Sequence, residues 1–442
     1  MIKELHLKRV GPAPQFDVEF AERLNLFTGD NGLGKTFLLD IAWWALTSTW
    51  AGAPAWPQRV KGETAEISYH LVGKTGPTKE RNVSQFDYAH QTWPRSKARP
   101  VMPGLVIYIR VDGSFSVWDP ARNYSKTSQV KGVDQPDRPS AYHFTPDNIW
   151  NGLGGSGLSG YSGVSVYSGG EKKVLCNGLI RDWVSWQNQP GQDQASPFRL
   201  LCNVIEKLSP HPSEWMKPGK PIRVSIEDVR DIPTIELPYG SIPVTQASAG
   251  VKRILGLAYL LVWTWYEHVQ ASELLNQSPT DSLILLMDEV ESHLHPQWQR
   301  SILPAMLNVA TGLKKKIKTQ VIATTHSPLV LASVEPYFDD AKDELFLFAL
   351  ENEKVTLGVI PWAKQGDVVG WLTSDVFGLK QARSKDAEAA IEAAEAFMRG
   401  ETKLLPQNLK TREQIHKELL RVLAGHDPFW PRWIVRVMEG GK

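Results

Sequence analysis

The run Gly29-Asp30-Asn31-Gly32-Leu33-Gly34-Lys35-Thr36 constrains the fold of this chain more than any other stretch of it. It satisfies every fixed position of the pattern G-x-x-x-x-G-K-[ST]. A loop of this kind works only between the end of a buried strand and the start of a helix, where its amides converge on one concavity and the helix end adds positive potential. The flanks supply both elements. Residues 24–28 form a short apolar strand, two alternating strand patterns at residues 2–10 and 16–20 precede it, and residues 37–46 read as a helix. The whole run Gly29 to Thr36 is therefore a candidate for binding the phosphates of ATP. Lys35 adds positive charge at the outer phosphates, where the transferred group sits, and the Thr36 hydroxyl is a ligand for Mg²⁺.

A second constraint lies far downstream. Residues 283–287 are apolar without interruption and end in Asp288-Glu289. Two carboxylates at the tip of a buried strand are costly unless a cation compensates them. Mg²⁺ is that cation, with Asp288 as the metal-side group and Glu289 placed to act as general base on the attacking water. Residues 319–325 form another apolar strand pattern that runs into His326-Ser327-Pro328, so His326 is a third catalytic candidate, as a sensor of the γ-phosphate or a group that polarises the water.

Thr245 to Arg253 opens a long helical pattern. A serine hydroxyl and free glycine amides at a helix start form an anion site, which makes Ser248 and Gly250 candidates for contacting nucleotide held by a second copy. Tyr167-Ser168-Gly169-Gly170-Glu171-Lys172-Lys173 has a closer consensus, but separation decides between them. Gly250 lies 38 positions before Asp288 and Gly170 lies 118 before it, and neighbouring elements in such sheets have short connections.

Short buried strands alternating with helices place the core in the α/β class with a mixed or parallel sheet. The spacing assigns residues 1–50 and 240–375 to that core, 51–125 to an antiparallel β lobe that includes the apolar run 105–111, and 126–239 to a helical and loop insertion. Helical patterns lie near residues 172–186, 198–208, 251–269 and 296–310. Residues 376–442 form a C-terminal helical tail. Ser384 caps the first of its two helices, and Thr411 with Gln414 forms a capping box on the second.

Composition narrows the class. The formal net charge is +1 with 22% charged residues, which singles out neither nucleic acid nor an acidic membrane surface as partner. The longest apolar run, residues 254–265, falls short of the ~20 residues a membrane-spanning helix needs, so no membrane association is expected. The two cysteines have no metal-ligand spacing and suit a reducing cytoplasm. The 17 tryptophans are scattered, as core packing requires. Lys314-Lys315-Lys316-Ile317-Lys318 reads as a solvated face, with contact to a nucleic-acid backbone as the alternative. His426-Asp427 reads as a turn beside aromatic packing.

Taken together, the phosphate loop, the Ser-x-Gly helix start, the acidic strand end, Glu291-Ser292-His293-Leu294-His295-Pro296 and Thr325-His326-Ser327-Pro328 resemble the ABC-type ATPase head shared by SMC, RecF and OLD-family proteins. The Leu-His-Pro resembles the AAA-family ATPases of Septu and retron antiphage systems. The resemblance implies an ATPase that dimerises head to head, or forms a higher homo-oligomer, with Ser248 and Gly250 acting across the dimer and Ser292 and His293 at its seam. Ala249 and Val251 depart from the usual signature, and no Q-loop glutamine is assigned. Residues 377–433 resemble the tail of Septu-like ATPases that accompany an HNH nuclease, which implies such a nuclease as companion. A RecF-like ATPase that binds DNA directly is the alternative function.

Overall fold

The computed structural model describes all residues except 74–75, 78–80, 95–101, 124–138, 155–166, 169–170, 173, 192–194, 315 and 440–442. The described chain divides into two compact units, Met1–Lys364 and Gln365–Lys442.

Among the described residues the first unit contains two large sheets and four small ones of two or three strands. Strands β1 (Ile2–Lys8) and β2 (Gln15–Glu19) alternate buried and exposed side chains, the pattern of a sheet with one wet face. They pair antiparallel, and β1 also pairs with β4 (Glu66–Gly73), which continues to β5 (Asn82–Gln85). With the two-residue strand Gly76–Pro77 also paired to β4, this five-stranded sheet is the antiparallel lobe.

The other large sheet has eight strands. One of its inner strands is β3 (Leu24–Gly29), followed in the chain by helix α1 (Lys35–Thr47). The further strands are β6 (Leu105–Ile109), β7 (Phe115–Trp118), β8 (Tyr142–Phe144), β9 (Ser282–Met287), β10 (Lys318–Thr324), β11 (Asp343–Glu351) and β12 (Lys354–Val359). Their spatial order is β12-β11-β3-β10-β9-β6-β7-β8. The five strands from β11 to β6 run parallel, and the outer three are antiparallel additions. Burial on both faces explains why β3, β6 and β9 are apolar runs and not alternating ones.

Before β9 comes helix α2 (Ala249–Leu274), whose run 254–265 is buried throughout. Among the described residues no helix is long and apolar enough to cross a membrane. Several tryptophans, Trp43, Trp183, Trp263, Trp371 and Trp433 among them, are fully buried, as core packing requires.

Four expectations are corrected. Residues 105–118 leave the antiparallel lobe and join the core sheet, because Leu-Val-Ile-Tyr-Ile is buried on both faces beside β9. The helix near residues 172–186 begins only at Leu179, since Val174–Cys176 pairs as a strand with Leu153–Gly154. The helix expected over 296–310 is broken into Pro296–Gln299 and Ile302–Leu313. Pro304 sits in the first turn of the second piece, where its ring cannot clash with a preceding helical carbonyl.

The fourth concerns the tail, which among the described residues has three α-helices instead of two: Lys385–Met398 capped by Ser384, Arg412–Val422 with the Thr411 and Gln414 capping box, and Phe429–Glu439. The second unit has its own core, built from Ala390, Ile391, Ile415, Leu419 and Trp433. The third helix escapes a reading by period because three of its first five residues are Phe429, Trp430 and Pro431.

Candidate active site

Three neighbouring parallel strands, β3, β10 and β9, bring their carboxyl ends to one edge of the core sheet. The loop 29–36 leaves β3, Thr325-His326 leaves β10, and Asp288-Glu289 leaves β9. Crevices outside the carboxyl ends of such strands are the usual ligand sites of open α/β sheets.

The loop's backbone demands its glycines. Gly29 has φ +127°, and a Cβ there would lie 2.1 Å from the Phe348 carbonyl oxygen of β11. Gly34 has φ +106° and would press a Cβ to 2.8 Å from Pro12. As the N-cap of α1, Gly34 offers no side-chain hydrogen bond, so the first amides of the helix remain for an anion. Lys35 Nζ donates to the carbonyls of Gly29 at 2.8 Å and Asp30 at 2.7 Å, which holds the ammonium against the loop. Burial pulls the Lys35 ammonium below its usual range, opposed by Glu289 and Asp288.

Thr36 Oγ1 donates to Asp288, 2.9 Å from Oδ2 and 3.1 Å from Oδ1. Asp288 is 1% exposed and also accepts from Thr324 Oγ1 at 2.9 Å. Burial pushes its carboxyl above the usual range, against the hydrogen bonds from Thr324 and Thr36. The hydroxyl and the carboxylate that would share Mg²⁺ are thus adjacent, and among the described residues the buried carboxylate has no ion-pair partner. These residues fit Mg²⁺ bound to a nucleotide.

Glu289 adopts φ +44°, a left-handed conformation that costs a non-glycine residue strain and is found at functional sites. Its amide donates to Thr324 Oγ1 at 2.7 Å, so one threonine hydroxyl holds both acidic residues. His326 Nε2 lies 3.8 Å from Glu289 Oε1, and Ser292 Oγ lies 3.5 Å from Glu289 Oε2. Lys35, Thr36, Asp288, Glu289 and His326 therefore form one cluster.

Ser248 and Gly250 stand elsewhere. Ser248 is the exposed N-cap of α2, its hydroxyl accepting from the Val251 amide at 3.3 Å. A Cβ on Gly250 would lie 3.5 Å from the His293 carbonyl oxygen, so the helix start adjoins the segment after the acidic pair. Among the described residues, no hydrogen bond joins Ser248 or Gly250 to the loop 29–36 of the same chain. In the competing stretch, Gly169, Gly170 and Lys173 lie outside the described residues, and Tyr167-Ser168 pairs antiparallel with Glu171-Lys172.

Two further motifs resolve into structure. Lys314 Nζ donates to the carbonyls of Thr280 at 3.1 Å and Pro279 at 3.4 Å, so this head of the lysine run is turned onto its own chain. Asp427 accepts from Arg383 at 2.9 and 3.1 Å and from the Phe429 amide at 2.9 Å, capping the final helix. No group of three or more metal-ligating side chains occurs among the described residues.

Sequence reasoning missed Thr324, Glu291 and Gln299, which link β10 to the acidic strand end. It also missed the end of β6, where the Arg110 and Val111 carbonyls accept from Arg253 of α2 at 3.4 and 3.3 Å.

Residues 238–332 match the family described as "AAA domain, putative AbiEii toxin, Type IV TA system". The chain is 23% identical over 391 residues to the Septu protein PtuA of Bacillus thuringiensis, an alignment spanning 87% of this chain and 86% of that one. It is 30% identical over 151 residues to the Retron Ec83 probable ATPase of Escherichia coli, covering 33% of this chain and 23% of that protein. The chain is an ATPase, similar to ATPases of the Septu and retron antiphage systems. Among solved structures, the SMC head domain from Thermotoga maritima aligns with 82% of this ATPase and 99% of its own length, at 15% identity and a TM-score of 0.38. The ATPase's core is a mixed sheet, with a separate antiparallel lobe beside it in the fold.

Proposed function

We propose that the protein binds Mg·ATP at the carboxyl ends of β3, β9 and β10, hydrolyses it, and uses the cycle to control a companion nuclease in defence against phage. The observation that carries the chemistry is the contact of Thr36 with both oxygens of Asp288 while Glu289 and His326 face each other beside it.

In this reading the amides of residues 29–36 and Lys35 bind the phosphates, and Thr36 and Asp288 hold Mg²⁺. The metal, when bound, supplies electrostatic stabilisation of charge on the phosphate oxygens. Glu289 Oε1 accepts the proton of the attacking water, and Ser292 keeps the other oxygen oriented. His326, on the neighbouring strand end, sits where its ring can contact the γ-phosphate side and hold the carboxylate.

Ser248 and Gly250 serve a second copy. Their exposed helix start, which among the described residues makes no hydrogen bond to the phosphate loop of its own chain, supports a head-to-head dimer in which each α2 faces the nucleotide of its partner. The independent core of Gln365–Lys442 supports a separate docking module for an HNH-type nuclease. The cytoplasm, where phage nucleic acid is met, is the compartment this role requires.

Sedimentation of the Glu289→Gln variant with and without Mg·ATP tests the dimer. We expect a shift from monomer to dimer with nucleotide, abolished by Ser248→Arg; a sedimentation coefficient unaffected by nucleotide would refute it. Tight DNA binding by the isolated protein with a steep salt slope would instead favour the RecF-like alternative.

A further inference from the structure

The last sheet pair of β10 joins Thr324 to Phe27, and the Thr325 amide still donates to the Phe27 carbonyl at 2.9 Å. Beyond that point the strand has no partner from the sheet, and the His326 amide must be satisfied otherwise. Glu291 satisfies it. One carboxylate oxygen accepts from His326 N–H at 2.5 Å, and the other accepts from Thr325 Oγ1 at 2.7 Å.

The next residue is held as well. Ser327 Oγ donates to Gln299 Oε1 at 2.8 Å, and the Gln299 amide donates to the Leu294 carbonyl at 3.0 Å. Thr325, His326 and Ser327 are thus fastened one after another to the segment that follows Glu289. That segment carries two non-glycine residues in the left-handed region, Glu289 at φ +44° and His293 at φ +62°. Glu291 lies between them, so its carboxylate is aimed at β10 by a backbone the surrounding structure must hold in place.

We infer that Glu291 is a positioning residue for His326: by gripping the Thr325 hydroxyl and the His326 amide with its two oxygens, it fixes the imidazole at its 3.8 Å separation from Glu289. Hydrogen bonds to an ionised carboxylate are shorter and stronger than neutral ones, and two on consecutive residues leave the strand end little freedom. The inference rests on the proposed role of His326 in hydrolysis.

Steady-state hydrolysis by Glu291→Ala, Glu291→Gln, His326→Ala and the Glu291→Ala/His326→Ala double variant tests it. Glu291→Ala should lower kcat by about 10- to 100-fold, the cost of a displaced catalytic group, with the KM for ATP changed less than about twofold. Glu291→Gln should recover most of that loss, because its oxygen accepts from the His326 amide while its NH₂ donates to Thr325 Oγ1. The double variant should be no slower than His326→Ala alone.

A Glu291→Ala enzyme as fast as the wild type beside a crippled His326→Ala would overturn the positioning role alone. Losses that multiply in the double variant would also overturn it. A fully active His326→Ala would remove the reading on which the inference stands. Should Glu291→Ala not fold, Thr325→Val removes one of the two donors at nearly constant shape. It should then lower kcat in the same direction, and an unchanged kcat would count against the inference.

Discussion

Thr36 and Asp288 are 252 positions apart in the chain and meet through a hydroxyl placed between both oxygens of a buried carboxylate. The sheet order makes this contact. β3 and β9 are separated only by β10, so the start of α1 reaches across one strand to the end of β9. The carboxylate has two hydroxyl donors and no ion-pair partner among the described residues, the environment of a group that pairs with a divalent cation.

Asp288→Asn keeps the shape and the hydrogen-bonding capacity but removes that charge. We expect Mg²⁺-dependent turnover to fall at least ~100-fold, with nucleotide affinity in the absence of Mg²⁺ retained. Titration of ATP binding with and without Mg²⁺ checks both halves.

Thr324→Val tests the second donor. The change preserves volume but leaves Asp288 Oδ1 and the Glu289 amide without the hydroxyl they share. Loss of a buried donor to a charged group costs about 1–3 kcal/mol, so the denaturation midpoint should drop accordingly. Turnover should fall as well, because Glu289 then loses the tether on its strained backbone.

Asp40 provides a pH test. It lies on α1 one turn after Thr36, and burial pushes its carboxyl up to about 6, with Arg110 opposing the shift. The native state therefore keeps a proton that the unfolded chain releases near pH 4. Between about pH 4 and 6 the native state binds more protons, so this group's contribution to stability falls as pH rises through that window. Asp40→Asn should stabilise the protein by about 1–2 kcal/mol above pH 6, with the gain vanishing below pH 4. Thermal denaturation at pH 4 and pH 7.5 measures the difference; a gain independent of pH would refute the assignment.

Much of this site is visible in the residues themselves. β3, β9 and β10 are apolar runs that stop at Gly29, Asp288 and Thr325-His326, and each stop is a residue no sheet interior would keep without a reason. Thr324 is different, since a threonine in a strand is unremarkable until the register of β9 against β10 sets it beside Asp288. Glu291 and Gln299 likewise carry no periodic signal, because their partners are 34 to 35 and 28 positions away and are fixed only by that register. β6 was misplaced for a related cause. Its turn at Asp112-Gly113 announces a hairpin, but only pairing with β9 reveals that the hairpin extends the core sheet.

The central claim is that residues from three strand ends form one hydrolytic site with Glu289 as its base. It is tested most directly by measuring Mg·ATP binding and phosphate release in Glu289→Gln. Binding close to that of the wild type is expected, with phosphate release reduced at least ~100-fold. Release at the wild-type rate, or loss of Mg·ATP binding altogether, would contradict it.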